Sequence, residues 1–282
     1  MQNKVFALIV IFVVGISVSA CDGSKKSHSS KGQLGDTSGA VAVKKDTMWV
    51  ADLSNLEIPM PSSDCELVKH KYYTLCYDEP YEEAKWVAYK LTKEEANGKL
   101  PRKDAFRADP LVPTGSAIPA DYKTVPGEQK YDKGHLCNNA DMSFDSIAQS
   151  ETFYMSNMTP QIHSFNAGIW LTLEKKVREW ANQDDTVDVV AGPILHSGLK
   201  TIGQDKVAVP EYFYKVILAY TGKVHSAIGF IFPHEKATKP LKDFAVSVDS
   251  VEKVTGIDFF PSLPDSEENA LESKVELNKW GL

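Results

Sequence analysis

Positive charge is in short supply in this chain. Thirty-one Lys and Arg stand against 38 Asp and Glu, a net charge of -7 over 282 residues. That balance excludes a protein drawn to polyanions by a bulk basic field, so any nucleic acid has to be met in a local basic cleft. Cysteine is also sparse, with four residues and no CxxC or Cys/His spacing of the kind that holds zinc. No internal repeat is visible, which argues against a solenoid or a propeller. The longest apolar run, residues 5–18, is too short to cross a bilayer as a helix.

That run has a different use. Lys4 precedes it and "VSAC" closes it with small residues, the layout of a cleaved signal over residues 1–20. Cys21 directly follows the small residues and resembles a lipobox cysteine, so the expectation is an acylated Cys21. The protein is then exported and tethered to a membrane, in the periplasm or at the cell surface, in preference to being freely secreted. Loss of residues 1–20 removes only Lys4 from the charge count, taking -7 to about -8. Residues 22–47 are rich in Ser, Gly and Lys without apolar periodicity and suit a flexible linker, here placed over 21–54. The folded domain is expected over 55–282. Its cysteines are Cys65, Cys76 and Cys137. Taken as one continuous strand, the segment from 66 to 77 separates Cys65 from Cys76 by roughly 35 Å, beyond disulfide reach, and the reading is small buried thiols.

Within the domain, "HKYYTLCY" and "KWVAYKL" read as a strand pair and "TVDVVAGPIL", "EYFYKVILAY" and "VHSAIGFIF" as further strands. Residues 97–134 are Pro/Gly-rich and loop-like. Ile169, Trp170, Leu173, Val177 and Trp180 recur at helical spacing and define one strong helix, with "VSVDSVEKVTGI" a second candidate. Strands grouped around a few helices, without βαβ alternation, predict an α+β fold on a largely antiparallel central sheet flanked by helices.

Three segments carry polar groups that packing does not demand. In "DKGH", 132–135, Gly134 permits an unusual backbone turn beside His135, and Lys133 suits an anionic substrate. "SNMTPQ", 156–161, is a loop of amides and hydroxyls. Asn166 opens the long helix, where free N–H groups favour phosphate, and Glu174 and Arg178 lie at the edge of its apolar face. Each has a plainer counterpart: a hydrogen-bonded structural histidine, a simple turn, a helix cap and a solvated i,i+4 ion pair.

The order of "YDKGHL", "ETFYMSNMTPQ" and "FNAGIWLTLEKKVREWA" resembles the DNA/RNA non-specific endonuclease family, the sugar-non-specific nucleases with a ββα-metal (His-Me) finger. The likeness runs from about 55 to 270 through "WVAYKLT", "RKDAFRADP", "VVAGPIL", "VPEYFYKVIL" and "VEKVTGIDFFPSLPD". It implies that His135 is the general base, that Asn166 is the protein ligand of one divalent cation (Mg²⁺, with Mn²⁺ or another divalent ion in its place), and that Glu174 holds water of that cation's shell. It matches Arg178 and Arg102 to arginines on the phosphate, puts Asp132 behind these groups, and leaves Asn157 and Gln161 to support the loop or the substrate. DNA and RNA substrates and 5′-phosphorylated products are further implications.

Two features depart from the family pattern. Lys133 stands where arginine is usual, which keeps the charge and loses the two-pronged donor. "HLCNNAD" replaces the usual small and proline residues after the histidine. The alternative reading is a catalytically weak or inactive surface lipoprotein of the same fold that binds nucleic acid, and a homodimer is left open.

Overall fold

The computed structural model describes residues 53–221 and 224–282; Cys21, the leader and the linker up to residue 52 lie outside them. Eleven strands and six helices follow in order: β1 Glu66–Lys69, β2 Thr74–Asp78, β3 Glu83–Thr92, α1 Lys93–Ala96, β4 Asp132–His135, α2 Ser146–Glu151, β5 Met158–Gln161, α3 His163–Phe165, α4 Leu171–Asp184, β6 Thr186–Pro193, β7 Lys200–Ile202, β8 Val207–Val209, β9 Tyr212–Thr221, β10 Val224–Pro233, β11 Ala245–Val246, α5 Val248–Thr255 and α6 Asp265–Glu272. Seven strands form one sheet in the order β1-β2-β3-β6-β9-β10-β11, with every neighbouring pair antiparallel. The α+β architecture is as the sequence predicts.

Strand alternation sorts the core into two layers. From β3, Val87, Tyr89 and Leu91 face α4 and meet Leu173, Val177 and Trp180. Trp86 and Ala88 point the other way, towards Val248 and Val251 of α5 and Leu271 of α6. The central strands are therefore apolar on both faces, which is why β6 and β9 read as nearly continuous hydrophobic runs. Helix α5 is bounded by local signals: the Ser247 hydroxyl accepts the Ser250 N–H, and Gly256 closes the helix at φ 70°.

The cysteine expectation is overturned. Residues 66–77 are a hairpin, with β1 turning back at 70–73 so that Leu67 lies opposite Cys76. The reversal brings the Cα atoms of Cys65 and Cys76 to 5.4 Å, and the two form a disulfide. Treating an apolar run as one strand missed the turn, because no Gly or Pro marks it. Cys137 is free and buried, as expected.

The helix that carries the site is also more broken than its periodicity implies. A helical turn, α3, precedes Asn166, and residues 166–170 form a wider π-type turn with a break at Gly168 (φ -104°, ψ -112°) before α4 begins. Asn166 is not the first residue of the helix, and its N–H donates to the Ile162 carbonyl at 3.0 Å. The Asn166 N–H is thus committed to the backbone rather than free for phosphate.

Candidate active site

A two-stranded sheet, β4 with β5, together with the helical segment over 163–184 builds the ββα unit. Asp132 pairs with Gln161, Gly134 with Thr159 and His135 with Met158. The segment expected as a loop, 156–161, is in fact a short turn followed by strand. Gly134 does not adopt an unusual backbone angle; it is glycine because a Cβ there would come within 2.2 Å of the Gln161 side chain. Gln161 is buried across that glycine, its amide nitrogen and oxygen without partners. Asn157, also buried, clamps the chain after the histidine. Its Oδ1 accepts the Cys137 N–H at 2.8 Å, and its Nδ2 donates to the carbonyls of Cys137 and Thr152 at 3.0 and 2.9 Å.

His135 ends β4 in an aromatic enclosure. Its ring meets Phe153 edge-on at 5.2 Å and Phe106 at 5.9 Å, and its backbone carbonyl accepts the Trp170 indole N–H at 3.1 Å. The residue is 7% exposed, and its Nε2 is buried with no partner. Burial first, and then the Arg102 guanidinium, lower its pKa to about 3. The ring is therefore neutral at any ordinary pH and able to accept a proton. Asp132 is not among the groups that act on the ring. Asp132 accepts instead from Asn166 Nδ2 at 3.1 Å and contacts His163 Nδ1 at 2.8 Å.

The cations sit on the same aromatic frame. Arg102 lies over the Phe153 ring at 5.3 Å and bonds Asp104 at 2.6 Å. Lys133 lies over Phe106 at 4.8 Å and over Tyr122 at 5.8 Å. Among the described residues Lys133 has no carboxylate in ion-pair range, so its charge is available to an incoming anion.

Glu174 and Arg178 do not form the solvated pair that their spacing allows. Glu174 is 4% exposed; Arg178 donates to Asp141 at 2.5 Å, and Asp141 also accepts the Tyr89 hydroxyl at 2.7 Å. Burial drives the Glu174 pKa up to about 7, against the pull of Lys215 and a hydrogen bond from Asn138. Lys215, on β9, is fully buried with no hydrogen-bond partner, and its ammonium lies 4.5 Å over the Trp170 ring. Burial lowers its pKa.

Sequence reasoning missed Lys215, Asp141 and His234. The signal for Lys215 was present: one cation inside the apolar run "EYFYKVILAY". His234 holds the loop that enters α3, accepting the Ile162 N–H at 2.8 Å while its other ring nitrogen bonds the Pro210 carbonyl at 2.7 Å. Its sequence neighbourhood carries no comparable mark.

The site residues thus form two groups joined by Trp170. His135, Lys133 and Arg102 share the aromatic frame of Phe106 and Phe153, and Glu174 and Arg178 share the buried charge cluster with Asp141 and Lys215. Asn166 is linked to the first group through Asp132 on β4.

This arrangement has counterparts among known proteins. A model of the DNA/RNA non-specific endonuclease family matches residues 53–266. The chain is 35% identical to the mitochondrial nuclease EXOG of Danio rerio, over 72% of this chain and 63% of that protein. It is 31% identical to mitochondrial endonuclease G of Homo sapiens, over 70% of each, and 34% identical to a nuclease of Serratia marcescens, over 76% of this chain and 81% of that one. The crystal structure of EndoG in complex with EndoGI superposes with a TM-score of 0.67 at 29% identity, covering 73% of this chain and 89% of that one. The chain therefore spans somewhat less than two thirds of the length of the EXOG nuclease.

These relatives overturn the expectation of an exported, lipid-anchored protein, since EXOG and endonuclease G are named as mitochondrial. A basic residue before a short apolar run and a few small residues is too loose a pattern to fix an address. The match of the family model over residues 53–266, a span that includes His135, Asn166 and Glu174, places this chain in the DNA/RNA non-specific endonuclease family.

Proposed function

We propose that the protein is a metal-dependent, sequence-non-specific endonuclease that hydrolyses phosphodiester bonds in DNA and RNA and leaves 5′-phosphorylated products. The observation that carries this is His135: a neutral imidazole with an unpartnered nitrogen, fixed by backbone and aromatic contacts, with two cations on the rings around it. A structural histidine would be expected to use its ring nitrogens in hydrogen bonds; this ring is held by its carbonyl and its faces instead.

The residues also fit a divalent cation. Asn166 Nδ2 is committed to Asp132, which leaves the amide oxygen, a hard acceptor, to serve a cation. Asn166 would hold the ion, and Glu174 would accept from water around it. When bound, the ion supplies charge stabilisation for the phosphate oxygens and the leaving oxygen. Mg²⁺ is the expected ion, with Mn²⁺ a substitute.

His135 takes a proton from the attacking water as its oxygen bonds to phosphorus and the P–O3′ bond breaks. A histidine with so low a pKa is a weak base in the free protein. A bound phosphate leaves the ring buried but opposes both effects, since its negative charge offsets Arg102 and stabilises an imidazolium beside it. Substrate binding thereby raises the basicity of His135 at the moment it is needed. Lys133, which has no carboxylate beside it among the described residues, provides the local positive charge that the net charge of -7 does not. Arg102 and Arg178 would turn to the phosphate from their pairs with Asp104 and Asp141. Asn157 and Gln161 position the histidine strand.

Incubating purified protein with plasmid and with single-stranded RNA, with Mg²⁺ or with EDTA, tests the reading. Cleavage of both that EDTA abolishes, with 5′-phosphate ends on the products, is the expected result. Retention of nucleic acid without cleavage would replace it with the binding-protein alternative.

A further inference from the structure

On the sheet face opposite the finger, α5 and α6 bring Asp249, Glu252 and Glu272 together, with one carboxylate oxygen of each within 4.8 Å of the others. Two more acids, Asp258 and Glu268, act electrostatically on Glu272. Among the described residues no Lys, Arg or His lies within ion-pair distance of any of the five.

Acidic clusters are common on surfaces, but here one member is not at the surface. Glu272 is 4% exposed, and its Oε1 is buried without a hydrogen-bond partner. It closes α6, whose Leu271 packs with Val248 and Val251 in the core beneath. A buried carboxylate normally has a partner of opposite charge or a donor. Sharing a proton between carboxyl groups would supply one, but that requires oxygens about 2.5–2.7 Å apart, and no hydrogen bond joins these three. With one oxygen of each within 4.8 Å of the others, a common centre lies at most about 2.8 Å from each, within reach of the 2.3–2.6 Å of Ca²⁺–oxygen bonds. Three carboxylates suit the flexible, oxygen-rich shell of Ca²⁺ better than Mg²⁺, which keeps most of its waters.

We propose that Asp249, Glu252 and Glu272 form a second, structural cation site of calcium type that clasps α6 to α5. Three ionised carboxylates on a divalent ion, with water completing the shell, leave a net charge of -1 at the site. Glu252 is already oriented for the role, since its Oε1 accepts the Phe259 N–H at 2.8 Å and fixes the side chain. The site is remote from the finger, so its role is to secure the C-terminal helix rather than to act on a phosphodiester.

Titration of CaCl₂ into the full-length protein by calorimetry tests this, in an Asn166→Ala background so that the finger contributes no binding. One equivalent of Ca²⁺ should bind, and Glu272→Gln, which removes charge at constant shape, should weaken it at least tenfold. Hydrogen exchange over residues 265–272 should slow with Ca²⁺ in the first protein and not in the second. Should Glu272→Gln fail to fold, Asp249→Asn, at an exposed position, should weaken binding in a folded protein. The proposal is overturned if the Asn166→Ala protein takes up no Ca²⁺, or if either charge-removing substitution leaves the affinity unchanged in a folded protein.

Discussion

The two faces of the sheet each bury acidic groups, and they treat them differently. Under α4, Glu174 and Asp141 share their space with Arg178 and the fully buried Lys215. Under α5 and α6, Glu272 and its acidic neighbours have no cation among the described residues. Balanced charge keeps polar groups fixed and ionisable in a dry place, the condition for chemistry. Unbalanced charge of one sign marks a place that lacks its counter-ion.

The finger side should lose most when its base is removed. His135→Ala is expected to reduce the single-turnover rate by roughly 10² to 10⁴ in a folded protein whose metal affinity is nearly unchanged and whose melting temperature falls by no more than the vacated ring space explains. Cleavage close to wild type by a folded variant would end the comparison, because the balanced face would then have no chemistry to serve.

Removing the balancing cation should make the finger side resemble the other. Lys215→Met leaves Glu174 and Asp141 with Arg178 alone, and breaking a buried charge set in this way costs about 3–5 kcal/mol. Urea denaturation measures it. The Glu174 pKa, already up at about 7 from burial against the pull of Lys215, should rise further. A variant as stable as wild type would show that Lys215 is not the counter-charge.

Acid should act through Glu174, not through His135. The Glu174 carboxyl gains its proton as pH falls through about 7 and then no longer accepts from water around the ion. His135, down at about 3, stays neutral throughout that range. The kcat/KM profile should therefore fall on the acid side near neutrality, and Glu174→Gln should lower activity by tenfold or more and flatten that limb. The stability signs are opposite. Below an unfolded-state value of about 6.5 the unfolded chain protonates His135 while the fold does not, so this group costs stability as pH falls. Glu174 keeps its proton in the fold until about 7 and loses it near 4.5 when unfolded, so this group costs stability as pH rises between those values. Melting curves from pH 4 to 8 on His135→Ala and Glu174→Gln separate the two.

The smallest effect is expected from Lys133→Arg, which keeps the charge over Phe106 and adds a second donor for phosphate. Activity should hold or rise a few-fold. A folded variant without turnover would mean that Lys133 acts through chemistry special to an amine.

What was legible in the sequence was what lies close together along it. The alternating and helical hydrophobic patterns identified β6, β9, β10, α4 and α5, because periodicity reports which face is buried whatever buries it. The three motifs placed His135, Asn166 and Glu174 in order, and their resemblance to the non-specific endonuclease family implied the ββα unit. Tertiary structure decided the rest. It turned residues 66–77 into a hairpin and joined Cys65 to Cys76. It gave Arg178 to Asp141 rather than Glu174, enclosed His135 between Phe106 and Phe153, and put Lys215 beneath Trp170. Each is a contact between residues remote in sequence or a shift in dielectric, set by which surfaces the fold brings together. Composition and spacing determined which groups the protein has; only packing determined their partners, their protonation and hence their use.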